Sequence, residues 1–102
     1  MAAPEMKVVW TRKASRHLRA ACDYWAHETS RASADIMLDR IFSAAELLER
    51  FPETGRPGRI PGTRELVIVP TLFLIAYRTR RGKIEILALL HSARKWPEAI
   101  SL

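Results

Sequence analysis

The stretch "RELVIVPTLFLIAYRTRRGKIEILALLH", Arg64 to His91, carries the strongest structural signal in the chain. It holds three apolar runs rich in β-branched and aromatic residues, the composition of strands. "RELVIV" predicts a strand ending at Pro70. "TLFLIAYR" is apolar at successive positions, which predicts a central strand buried on both faces. "IEILALLH" predicts a third strand with Ile84, Ile86, Ala88 and Leu90 on one face. The polar "TRRGK", with Gly82, is a turn, and such short connections imply an antiparallel meander.

Upstream, the apolar period changes. "KVVW", Lys7 to Trp10, predicts a first strand, and Thr11 then reads as a helix N-cap. Ala14, Leu18, Ala21, Cys22 and Trp25 follow at helical spacing, while Arg12, Lys13, Arg16 and Arg19 fall mostly on other faces. After "HETSRAS", Ser30 or Ser33 can cap a second helix, with Asp35 in its first turn. Its buried stripe runs through Ala34, Met37, Leu38, Ile41, Ala45 and Leu48, widened by Phe42. Pro52 disfavours helical geometry at Phe51, so the helix should stop there. "PETGRPGRIPGT", Pro52 to Thr63, reads as a loop carrying Arg56 and Arg59.

The expected class is α+β, in the order β-α-α-β-β-β. An antiparallel helical hairpin covers one face of a small, mainly antiparallel sheet, and the other face is partly open. One domain spans residues 1–102, with 1–6 a loose N-terminal segment and 92–102 a C-terminal tail.

Seventeen Lys and Arg against eleven Asp and Glu give a net charge of +6, which calls for an acidic or nucleic-acid partner. The one cysteine, Cys22, excludes an internal disulfide and reads as a small buried hydrophobe in a cytoplasmic protein. His17, His27 and His91 do not share a metal-binding turn, so no metal or other cofactor is expected. No apolar run reaches the ~20 residues a membrane helix needs, and no membrane role is expected.

"GRPGRIPGTRELVIVPTLFLIAYR", Gly55 to Arg78, and "IEILALLHSARKWP", Ile84 to Pro97, resemble the RelE/ParE superfamily of bacterial toxins, the ParE branch in particular. The resemblance runs from Lys7 to Pro97. It implies a type II toxin held by a cognate antitoxin similar to ParD. RelE-like members cut messenger RNA on the ribosome without metal; ParE-like members poison DNA gyrase.

Metal-free RNA cleavage gains from a general base, a general acid and cations converging on one phosphate. At the strand end where RelE-like nucleases carry a basic residue, this chain has Val69 and Pro70. Its tail has no tyrosine; Tyr24 and Tyr77 are the only two. The ParE-like reading therefore leads, with no catalytic residue expected. If the chain is instead a nuclease acting on ribosome-bound mRNA, His91, Arg94, Glu65 and Arg78 are its candidates, Glu65 otherwise being an exposed edge-strand residue paired with a nearby arginine. In the gyrase reading, the tail cluster His91, Arg94, Lys95 and Trp96 binds the target, Arg and Trp being frequent anchors of interfaces. An acidic antitoxin would meet Arg12, Arg16 and Arg19 on the first helix and Arg56 and Arg59 in the loop. A plain nucleic-acid-binding module ranks last, because the arginines are dispersed and no reading motif is present.

Overall fold

The computed structural model describes residues 6–69, 71 and 73–91. Two helices, α1 (Arg12–Glu28) and α2 (Arg31–Arg50), follow strand β1 (Lys7–Trp10) and precede β2 (Arg56–Pro57), β3 (Arg64–Val67), β4 (Phe73–Arg80) and β5 (Lys83–His91). The strands form one sheet in the order β1-β5-β4-β3-β2. The expected meander β3-β4-β5 is antiparallel, and β1 joins β5 in parallel. The helix pair lies on one face, giving a two-layer α+β domain.

Thr11 organises the entry into α1. Its Oγ1 accepts the Ala14 N–H (3.2 Å) and donates to the Ile86 carbonyl (2.8 Å), so the N-cap is also a tie to β5. Ser30, not Ser33, caps α2, its Oγ accepting the Ser33 N–H at 3.0 Å. Asp35 therefore falls beyond the first turn, and no acidic residue sits within it. The stripe Ala34, Met37, Ile41, Ala45 and Leu48 is buried as the 3.6-residue period requires. Phe51 closes the helix before Pro52. Phe42 stays half exposed yet meets Trp10 edge-on, with ring centroids 5.8 Å apart. Cys22 is only partly buried, and that burial is the main cause raising its thiol pKa.

Three expectations about the sheet are corrected. Residues 56 and 57 form a short edge strand within the predicted loop, so β3 is not an edge. The strand ends shift: β3 stops at Val67, short of Pro70, and β4 starts at Phe73. Ile84, Ile86, Ala88 and Leu90 do not share a face. Tyr77 pairs with Ile86 while Ala76 pairs with Ala88, leaving Leu87 as an extra residue. This bulge inverts the alternation. Ile84, Ile86 and Leu89 join the main core under the helices, and Ala88 and Leu90 join Leu74 and Ala76 in a second cluster on the opposite face. That second cluster is buried, so the face is closed there. It is open at Val67 and Val69 and at the polar end near Lys83.

Met6, assigned above to a loose segment, donates its N–H to Glu49 O at 3.0 Å and packs on the core. No helix among the described residues is long and apolar enough to cross a membrane.

Because β1 ends at Trp10, opposite Ile86, β5 has no strand partner on that side further along. Helix α1 supplies one: Leu89 N–H donates to His17 Nδ1 at 3.3 Å. Burial, then Arg16, then Lys13 hold the His17 pKa below its ordinary 6.5. The folded state thus resists a proton that the unfolded state accepts, and stability falls as pH drops from 6.5 through the lower folded value. The loss is about 1 kcal/mol, the net worth of one hydrogen bond. In thermal melts between about pH 5 and 7.5, His17→Gln, which still offers an acceptor but cannot titrate, should flatten this part of the pH dependence. An identical slope in both proteins removes His17 from the account.

Candidate functional site

The candidate residues fall on three separate surfaces. His91 ends β5 opposite Phe73, on the helix side of the sheet. Its ring meets Phe73 edge-on (centroids 5.7 Å apart), and Phe73 meets Trp25 of α1 in the same manner at 6.0 Å. Such contacts are worth about 0.5–1.5 kcal/mol per pair beyond burial. His91 is thus the outer member of an aromatic column that seats the end of α1 on the sheet.

Arg78 and Glu65 lie on the other face. Arg78 Nε donates to Glu85 Oε1 at 2.7 Å across the β4–β5 ladder. Arg78 and Phe73, the partner of His91, are five residues apart on β4, about 17 Å at the usual strand rise. Among the described residues, His91 and Arg78 therefore cannot approach a common phosphate.

Glu65 is not exposed. Its residue is 3% accessible, inside β3 and facing the second cluster. Arg56 Nη2 lies 3.1 Å from one carboxylate oxygen, and Arg59 brings Nε within 3.5 Å of the other and its backbone N–H within 3.3 Å. The expected pairing with a nearby arginine is present, but the expected exposure on an edge strand is not. The short β2, pairing Arg56 with Glu65, is what covers it. As a base, this carboxylate is occupied by two guanidinium groups. As a structural clamp, it draws the Arg56–Arg59 loop onto the sheet.

Tyr77 anchors the other side of that loop. Its hydroxyl donates to Pro52 O (2.7 Å) and accepts the Gly55 N–H (2.9 Å). Arg64 Nη1 adds a bond to Gly55 O at 2.8 Å.

Arg12, Arg16 and Arg19 are exposed on α1, and their spacing of four and three residues puts them in one stripe. Arg56 and Arg59 keep exposed side chains but share their charge with Glu65. Ile36 and Leu47 on α2 and Phe51 at its C-cap are exposed. At 3.6 residues per turn Ile36 and Leu47 lie within about 20° of each other around the axis, about 130° from the middle of the buried stripe, and form an exposed apolar strip on a flank of the helix. Sequence reading missed it because attention to the stronger buried period masks a second, interrupted one. Arg94, Lys95 and Trp96 lie outside the described residues. Among the described residues no group of three or more His, Cys, Asp or Glu side chains is placed to hold a metal ion.

Comparison with known proteins adds a lineage to this geometry. The model of the family described as ParE toxin of type II toxin-antitoxin system, parDE, matches residues 8–96. A candidate toxin of Sinorhizobium fredii, Y4kP, is 36% identical over 94 residues, covering 92% of this chain and 96% of the relative. Toxin RelE2 of Caulobacter vibrioides is 38% identical over 88 residues, covering 86% and 97% respectively. A solved chain from the chromosomal ParDE system of P. aeruginosa superimposes with a TM-score of 0.80 at 26% identity, covering 87% of this chain and 98% of that one.

Proposed function

The chain belongs to the ParE toxin family of type II toxin–antitoxin systems, and on that premise we propose that it acts in the cytoplasm by binding and inhibiting DNA gyrase, without hydrolytic chemistry, until an acidic antitoxin neutralises it. The observation that carries the binding reading is the dispersal of the candidate nuclease groups. His91 sits in an aromatic column on the helix face, Arg78 is paired with Glu85 on the other face, and Glu65 is held by two arginines. General acid–base cleavage needs such groups within hydrogen-bond reach of one substrate.

His91, Arg94, Lys95 and Trp96 form the target-binding end in this reading. Arg12, Arg16 and Arg19 face the antitoxin in this reading, with the exposed Ile36, Leu47 and Phe51 as its apolar anchors. Arg56 and Arg59 contribute less, being engaged with Glu65. Capture by an acidic partner should slow as salt is added.

The test is a supercoiling assay with purified gyrase, beside a translation assay on programmed ribosomes. Inhibition of supercoiling with intact messages is expected, and His91→Gln, which removes one of four proposed target contacts, should weaken that inhibition without abolishing it. Message cleavage in the ribosomal A site, abolished by His91→Gln and with supercoiling untouched, would overturn the reading in favour of the ribosome-dependent nuclease.

A further inference from the structure

One end of the sheet carries a charge arrangement that neither the helix stripe nor the tail accounts for. Lys7 pairs with Lys83 across β1 and β5, and Lys83 pairs with Arg80 across β5 and β4. Directly paired residues point to the same face. Val8 and Ile84 belong to the core side, so Lys7, Lys83 and Arg80 all point away from the helices. They form a row across three neighbouring strands, about 10 Å long at the usual strand spacing. Arg81 stands at the tip of the β4–β5 turn beside them. All four are exposed.

Like charges directly opposite one another on a sheet are destabilising. No ion pair relieves them among the described residues. The acid on the same face, Glu85, is engaged with Arg78 at 2.7 Å. The turn adds a second cost. Arg81 has φ 54 and Gly82 φ 74, and the left-handed region disfavours a residue with a Cβ by roughly 1–2 kcal/mol. Asn or Gly would fill the Arg81 position with less strain. A fourth cation is kept there nonetheless.

We propose that this row is a docking surface for the phosphodiester backbone of duplex DNA. Among the described residues the exposed large apolar side chains lie elsewhere, on α1, on α2 and its C-cap, and at the end of β3. A protein partner would be held by aromatic or aliphatic anchors among the charges, and single strands by aromatic stacking platforms. A straight, purely cationic track suits evenly spaced phosphates contacted without regard to sequence. The choice of DNA over an RNA duplex rests on the gyrase reading, since gyrase acts on duplex DNA.

The experiment measures binding of the full-length chain, without gyrase, to a labelled duplex of about 20 base pairs by anisotropy from about 50 to 200 mM salt. Three phosphate contacts alone predict a slope of log K against log salt of about −2.7, to which other cations can add. The variant Lys7→Gln/Arg80→Gln/Lys83→Gln should make the slope shallower by about 2.7 and weaken binding at least roughly tenfold, with an unchanged circular-dichroism spectrum. Arg12→Gln/Arg16→Gln/Arg19→Gln should retain the greater part of both. Unchanged binding in the first variant, loss only in the second, or a preference for an RNA duplex or a poly-glutamate peptide overturns the proposal. Supercoiling is read separately. A chain that binds DNA through this row yet leaves gyrase active refutes the target and not the surface.

Discussion

Tyr77→Ala is expected to lower the unfolding free energy by about 4 kcal/mol, a large share of the roughly 5–15 kcal/mol that holds a domain of this kind. The ring is fully buried in the main core, between α2 and the loop that follows it. Its removal leaves a cavity in a layer that the strands cannot close. It also strands the Pro52 carbonyl and the Gly55 N–H, which the hydroxyl satisfies at 2.7 and 2.9 Å. Tyr77→Phe separates the two effects. It keeps the ring and loses only the hydroxyl, so about 1–3 kcal/mol is expected. The loop packs directly on the ring. A Cβ on Gly55 would already lie 2.7 Å from the Tyr77 oxygen and 2.8 Å from a ring carbon. Burial, the leading influence, also raises the phenol pKa above 10.0, opposed by the Gly55 hydrogen bond and Arg64. The folded state thus favours the neutral phenol, and stability falls as pH rises above 10.0. Denaturant midpoints with unchanged m-values would check the series. A Phe variant as unstable as the Ala variant would show that the hydroxyl, not the ring, holds the core.

Arg56→Ala with Arg59→Ala is the second large effect, about 3 kcal/mol. The asymmetry of the cluster sets the sign and size. Glu65 has a side chain only 2% exposed, whereas Arg56 and Arg59 are 58% and 41% exposed. Removing both guanidinium groups leaves a carboxylate inside the sheet without them. Removing the carboxylate leaves two arginines that water can solvate, so Glu65→Gln should cost only about 1 kcal/mol. Thermal unfolding of both variants tests this ordering. The reverse order would mean that the loop is positioned by its backbone alone. A practical consequence follows for antitoxin binding. Loss of affinity on changing Arg56 or Arg59 would mix stability with contact, whereas Arg12, Arg16 and Arg19 are exposed on a formed helix and report contact alone.

Much of the architecture was legible because it depends on local chemistry. The helical period in Ala34 to Leu48, the Thr11 cap and the stop before Pro52 are decided by residues within one or two turns of each other. The same holds for the β-branched runs and for the Gly82 turn. Arg12, Arg16 and Arg19 stand exposed, as their spacing off the buried stripe of α1 requires, while Lys13 is partly buried.

What sequence spacing could not supply was anything dependent on a partner far along the chain. A strict two-residue alternation assigns Ala88 and Leu90 to the main core; the bulge at Leu87, visible only in the β4–β5 register, sends them to the other face. Glu65 reads as exposed until residues 56 and 57 come back to pair with it. His17 and Leu89, 72 positions apart, meet only because β1 ends early. The cation row likewise requires β1 to lie parallel beside β5, bringing Lys7 to Lys83. Local propensity acts over a few residues, so it determines elements. Which face a side chain joins, and which charges share it, follows from strand order and register, which only the packed chain decides.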